Sequence, residues 1–277
     1  LAQNKFLLSS GRVQMCLLNE IRQRELAIEN YREQSYYHLQ LITDLGLTPV
    51  MKTEDQVLNP SPLRSLGENL KGQYLVVEEF KEGTRKKNPK LLYNLTDLYK
   101  DAHAQLQINA ETAKKHIQNL YEEGFITYPR SSSRHLPTEQ VERVKGVMQA
   151  LAKSQYSLLV QSVDIEAIDV KHKTFNDELV SSHFAIIPTT KQYQEEGRPE
   201  IEKQLYSLVV KRFVGNFMRP AVYLVREVLL IDAMGNIYQT KESVLREKGF
   251  LEVFQEEVEE ESVEVFKIPI MQKGQEL

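Results

Sequence analysis

The 277-residue sequence contains one cysteine, Cys16, which excludes an intramolecular disulfide and any cysteine-rich zinc site and points to a reducing, cytoplasmic compartment. No stretch approaches the roughly 20 consecutive apolar residues that a membrane span needs. Residues Leu1 to Ser10 also lack the charged, apolar, small-residue order of a secretory signal, so no association with a membrane is expected. No Asp-x-Asp-x-Glu pattern occurs, and the nearest acidic grouping, Asp164, Glu166 and Asp169, has a different spacing. No metal site is therefore expected in this chain. Internal repeats and low-complexity tracts are absent too.

An overall excess of positive charge is also missing: 35 Lys and Arg stand against 39 Asp and Glu, a formal net charge of -4. That balance leans slightly away from a general nucleic-acid binder, but charge is unevenly placed, and local charge decides more than the sum. Lys81, Arg85, Lys86, Lys87 and Lys90 cluster in one segment, whereas Glu256, Glu257, Glu259, Glu260, Glu261 and Glu264 crowd the C-terminal part as a solvated run. With 41% hydrophobic residues, 13 Tyr and 10 Phe, the chain can bury a substantial core and is too apolar to be disordered. Its length suits two domains. It begins at Leu1 rather than Met, and the expectation is a piece of a longer protein.

Apolar residues Val13, Leu17, Leu18, Ile21 and Ile28 recur at helical spacing between Gly11 and Arg32, predicting an amphipathic helix. Short apolar runs at Tyr37 to Ile42 and Gln73 to Phe80 read as strands, with turn material at Asn59-Pro60-Ser61-Pro62. Lys81 to Pro89 reads as a polar, basic linker or hairpin loop. Thr96 is placed to cap a helix over Asp97 to Leu106, and Asn109 another over Ala110 to Glu123, with Gly124 as its stop. Two helices joined tightly and followed by Phe125 to Tyr128 as a strand form a winged helix-turn-helix pattern. Further helices are expected at Glu139 to Ala152 and Ile201 to Phe217, and strands at Ala221 to Ile231 and Asn236 to Val244. The fold class expected is α+β, with a helical, winged-helix-like domain (96–200) inserted into a discontinuous β-rich domain (36–95 and 201–277), after a helical remnant at 1–35.

Three segments can carry chemistry. In Phe125-Ile126-Thr127-Tyr128-Pro129-Arg130, Pro129 keeps Tyr128 extended, so Tyr128 and Arg130 face the same way. A guanidinium beside a phenol grips a phosphate bidentately while the phenol oxygen attacks it. The same pair is also read as a packed Tyr beside a surface Arg. In Ser181-Ser182-His183-Phe184-Ala185-Ile186-Ile187-Pro188-Thr189, His183 can contact a phosphate or move a proton, or it is an ordinary structural histidine. Gly11, Arg12 and Gln14 stand at a helix start, where free amides favour anions, or they form an ordinary capped helix.

Taken together, Ser10-Gly11-Arg12-Val13-Gln14, Leu95-Thr96-Asp97-Leu98, Leu120 to Arg130, His183 to Thr189 and Leu205 to Phe213 resemble type IA DNA topoisomerases, especially the topoisomerase III branch, in order and spacing along the whole chain. The resemblance implies that Tyr128 forms a 5′-phosphotyrosyl bond on single-stranded DNA, that Arg130 stabilises the scissile phosphate, and that His183 contacts a neighbouring phosphate. It implies backbone contacts from Arg12, Gln14, Ser133 and Thr189. The helical domain would carry the tyrosine, the strands would form an arch, and the enzyme would be cytoplasmic and nucleoid-associated. Mg²⁺ is expected for the full enzyme, held by a Toprim domain that this sequence does not contain. One departure is Ser131-Ser132-Ser133 where the family usually has Thr-Asp-Ser. Two other readings stay open: a non-enzymatic winged-helix DNA-binding protein that uses Ala110 to Glu123 with Lys114, Lys115 and His116 as its recognition helix, and a catalytically dead homologue.

Overall fold

The computed structural model describes residues 11–180, 182–253 and 266–277. The acidic run at 256–264 and the first ten residues lie outside them. The described chain forms α1 (Arg12–Glu29), β1 (Val50–Met51), α2 (Ser61–Leu70), β2 (Val76–Lys87), α3 (Leu95–Leu106), α4 (Ala110–Glu122), α5 (Val141–Leu151), α6 (Ser157–Val160), α7 (Glu200–Asn216), β3 (Ala221–Ile231) and β4 (Ile237–Glu247). It divides into two compact units: 1–76 with 230–239 and 276–277, and 77–229 with 240–275.

In the first unit α1 forms where the 3.6-residue periodicity predicts it, yet it has no buried residue. Val13, Leu17, Leu18, Ile21 and Ile28 are all exposed. The segment Tyr37 to Ile42 makes isolated bridges, Tyr37 to Val57 and Gln40 to Val50, rather than a regular strand. The Pro-containing stretch read as a turn instead opens α2, because a proline in the first helical turn removes an N–H that has no partner there; Pro62 occupies that turn. β1 pairs antiparallel with the start of β4, Val50 with Gln239 and Met51 with Tyr238. The loop between β3 and β4 is built on Asp232, whose carboxylate accepts from the main-chain N–H groups of Met234 and Asn236 (both 2.9 Å) and from the Tyr238 hydroxyl at 3.0 Å.

In the second unit strands β4, β3 and β2 lie side by side in that order. β2 runs on through Lys81 to Lys87, the stretch read from sequence as a linker. Cross-strand partners hold this polar stretch in the sheet: Glu82 accepts from Arg226 at 2.7 Å, and the Arg85 guanidinium lies 4.7 Å from the centre of the Tyr223 ring. Such pairs stabilise a strand whose own residues have weak β propensity.

The helices of this unit pack around α7, which is buried on nearly every side: Leu205, Tyr206, Leu208, Val209, Val210, Phe213 and Val214 are all covered. Both α3 and α4 contact it. The sequence division placed this helix with the strands; here its side chains and those of α3, α4 and α5 belong to a single core with Leu98, Ile117, Leu120, Val144 and Met148. α3 starts two residues earlier than the Thr96 reading, because the Asn94 side chain accepts from the Asp97 N–H at 2.8 Å. Asn109 caps α4 through the Thr112 N–H at 2.9 Å. Gly124, at φ +78°, ends that helix in a left-handed conformation that costs glycine little.

Candidate active site

The chain leaves α4 through Gly124 and enters an extended segment that pairs with 185–189. The Thr127 N–H donates to Ile187 O (3.0 Å), the Thr189 N–H to Phe125 O (2.9 Å), and Ile126 bridges Pro188 antiparallel. The buried Thr127 hydroxyl reinforces the register, donating to Ala185 O and accepting from the Ile187 N–H, each at 3.0 Å. On its other side the 185–189 segment is held by the Ile186 N–H donating to Tyr93 O at 2.8 Å. Phe125, Ile126, Ala185, Ile186 and Ile187 are buried. Thr127 is buried with them, and Tyr128, the next residue, is half-buried at the end of this paired stretch.

This pairing brings Tyr128 and His183 together. Their ring centres are 4.4 Å apart with planes at 47°. Tyr121, from the last turn of α4, meets Tyr128 edge to face at 5.4 Å and 78°, within the range in which such a pair is favourable. The phenol thus stands between two rings, half-buried, while His183 and Arg130 are exposed. The buried Pro129 separates Tyr128 from Arg130 and fixes the backbone between them. The Arg130 charge also reaches Tyr99 of α3, whose hydroxyl is pushed up by burial and drawn back by that guanidinium.

The other residues expected at the site are placed differently. Ser133 is buried, and its hydroxyl donates to Leu179 O at 2.8 Å. The Thr189 hydroxyl donates to Gly124 O at 2.6 Å. Both are thus engaged with main-chain oxygens. Arg12 and Gln14 lie in the other compact unit, in the exposed first turn of α1; Gln14 Oε1 accepts from the Gly11 N–H at 3.1 Å. Tyr121 and Tyr99 were not singled out from sequence as site residues, although Tyr121 sits one residue before the end of a helix that leads directly to Tyr128.

His116, considered as a base-reading residue on α4, is half-buried, with Nδ1 at 3.5 Å from the carboxylate of Glu202. Glu202 in turn accepts from Arg198 at 2.6 Å. Among the described residues no three His, Cys, Asp or Glu side chains gather into a group that could hold a metal ion.

A family model for DNA topoisomerase matches residues 1–277. The chain is 92% identical over 277 residues to DNA topoisomerase 1 of Bacillus anthracis, covering all of this chain and 32% of that protein. It is 30% identical over 278 residues to DNA topoisomerase 3 of Bacillus subtilis, covering 98% of this chain and 38% of that protein. Its likeness thus extends to topoisomerases of both names, and the 92% relative carries the name topoisomerase 1. The structure of full-length topoisomerase I from Thermotoga maritima superposes with a TM-score of 0.71 at 22% identity, covering 99% of this chain and 44% of that one, which shows a shared fold. No helix among the described residues is long and apolar enough to cross a membrane. With the Tyr128 segment paired to that of His183 and a family match along its whole length, the chain belongs to the type IA DNA topoisomerase family, and it spans 32% to 38% of the length of those curated relatives.

Proposed function

We propose that Tyr128 is the nucleophile with which the enzyme cleaves and rejoins single-stranded DNA. The observation that carries this reading is the ring-on-ring placement of Tyr128 and His183 at 4.4 Å, with Arg130 exposed two residues further on. The Tyr128 oxygen attacks the scissile phosphorus and forms a 5′-phosphotyrosine, while the bond to the 3′ oxygen breaks and leaves a free 3′ hydroxyl. Attack of that hydroxyl on the phosphotyrosine reverses the step and conserves the bond energy. Arg130 meets the charge that grows on the phosphate oxygens, and His183 contacts a neighbouring phosphate or holds the proton of the phenol.

In this reading α3, α4 and the Phe125 to Tyr128 segment are the winged-helix-like carrier of the tyrosine, and β2, β3 and β4 form the arch on which it moves to let a second strand pass. The whole reaction belongs to the longer polypeptide, where Mg²⁺ and the Toprim carboxylates are proposed to act. The 277-residue chain alone binds single-stranded DNA weakly and turns over poorly. A duplex-reading role for α4 has less support, because His116 faces Glu202 and leaves Lys114 and Lys115 as the outward-facing residues of that set.

The test is a denaturing gel of the intact enzyme with Mg²⁺ and a labelled single-stranded oligonucleotide. A covalent adduct is expected with Tyr128 and none with Tyr128→Phe. An adduct that survives Tyr128→Phe, or robust plasmid relaxation by the 277-residue chain alone, would overturn the proposal.

A further inference from the structure

The residues that follow Tyr128-Pro129-Arg130 are held from a second direction, by the first turn of α3. The Leu95 N–H donates to Ser131 O at 3.1 Å, and Asn94 Nδ2 donates to Ser132 O at 3.2 Å. The Asp97 carboxylate accepts from both Nε and Nη2 of Arg134, at 2.5 and 3.0 Å. Asn94 is buried and at the same time caps α3, so the cap and the loop share one side chain. From the far side the Ser131 hydroxyl donates to His183 O at 2.9 Å. The four-residue segment 131–134 therefore joins α3, the tyrosine segment and the histidine segment.

We infer that Asp97 and Arg134, together with Asn94, are positioning residues that hold the Ser131–Arg134 loop so that the Tyr128 ring keeps its place against His183. The inference rests on the reading of Tyr128 as nucleophile. A bidentate guanidinium–carboxylate pair fixes an angle as well as a distance, whereas an exposed ion pair of this kind adds little to stability. Arg134 is 47% exposed and Asp97 22%, so the value of the contact is geometric. An arginine this close to the site could instead grip DNA. Its Nε and Nη2 are already committed, however, and the carboxylate between them cancels the attraction a phosphate would feel. The same guanidinium holds the Asp97 carboxyl below the usual carboxylate range, which keeps the pair ionised over the neutral range.

The experiment uses the intact enzyme with Asp97→Asn, Arg134→Gln, the double variant, and Arg134→Lys. Each single variant is expected to lower the yield of covalent adduct on a single-stranded oligonucleotide by roughly ten- to a hundredfold, as a misplacement of about an ångström does. Oligonucleotide affinity and its salt dependence should stay within about twofold, because no phosphate contact is lost. The neutral amide pair of the double variant should recover a good part of the adduct. Arg134→Lys keeps the charge without the fork and should stay low. A weakened affinity with a shallower salt slope in Arg134→Gln would overturn the inference by making Arg134 a DNA contact. Unchanged adduct in all three single variants would also overturn it. Thermal unfolding of each variant chain is read alongside; if Asp97→Asn does not fold, the comparison of Arg134→Lys with the parent decides. An adduct persisting in Tyr128→Phe would sink the nucleophile assignment itself, whatever the Asp97 and Arg134 variants do.

Discussion

The hydroxyl of Ser131 donates to the main-chain oxygen of His183 at 2.9 Å, so the segment after the tyrosine and the segment that begins at the histidine are tied by a bond that neither segment makes alone. Ser131 is 4% exposed and its oxygen also accepts from the Ser133 N–H at 3.1 Å. Ser131→Ala removes the donor to His183 O and the acceptor for the Ser133 N–H, and a loss of roughly 1–3 kcal/mol is expected. Urea unfolding of the 277-residue chain measures it; a change below about 0.5 kcal/mol would show that water replaces both bonds.

Arg130→Lys separates charge from shape. A lysine keeps the attraction for phosphate but not the planar fork, so the intact enzyme should bind a single-stranded oligonucleotide nearly as before while its adduct yield falls by roughly tenfold or more. Equal losses in binding and adduct would assign Arg130 to affinity alone.

Gly249 sits at φ +50°, and a Cβ added there would meet Arg219 O and Pro220 O at 2.5 Å each. Both obstacles are backbone, so the substitution cannot be absorbed by turning a side chain. Gly249→Ala is expected to destabilise the second unit by about 1–3 kcal/mol or more through strain at that position. Thermal unfolding would show a lowered midpoint, and an unchanged midpoint would mean that the 249–253 turn does not press on the α7 to β3 connection.

Acid should unfold the chain in two stages. Burial holds His172 below the ordinary histidine range, with Lys173 adding to the effect, and burial followed by Arg134 does the same for His135. His172 Nδ1 accepts from the Thr174 N–H, which requires that nitrogen to be unprotonated. A group whose folded pKa lies below its unfolded value contributes stability that is complete above the unfolded value, about 6.5 for histidine, and is lost as pH falls through the folded one. The carboxyls of Asp97 and Glu123, lowered by hydrogen bonds from Arg134 and Arg198, follow the same sign with the later stage beginning below about pH 4. Unfolding midpoints measured from pH 8 to 3 should decline in both windows, and His172→Gln should shrink the first. A flat profile between pH 7 and 5 would remove the histidine contribution.

Where an element's stability comes from its own residues, the sequence displays it. The stripes of α5 and α7, the Asn109 cap of α4 and the strand texture of β3 and β4 are local patterns, and each element forms where its pattern stands. β2 shows the opposite case: its Lys81 to Lys87 half is polar and is strand only because Arg226, Tyr223 and their neighbours lie beside it. The start of α3 at Asn94 was hidden because Asn and Thr are both good caps, and what favours Asn94 is its second bond to the distant Ser132. At the site, Tyr128, Arg130 and His183 were legible from motif and extended spacing, and the structure brings Tyr128 and His183 together. The internal use of the Ser133 and Thr189 hydroxyls, and the roles of Tyr121, Asp97 and Arg134, depend on partners far along the chain, which periodicity and spacing do not encode.

Thr127 sets which way the Tyr128 phenol faces. Its hydroxyl takes the place of a rung between the two segments, reading Ala185 on one side and Ile187 on the other. A slip of one residue would point every side chain the opposite way, undoing both bonds of the Thr127 hydroxyl and turning the phenol away from His183. The residue just before the tyrosine therefore acts as an index mark: in a variant with an apolar residue there, correct folding and correct presentation of the phenol become two separate events, and a chain could keep its stability while losing its chemistry.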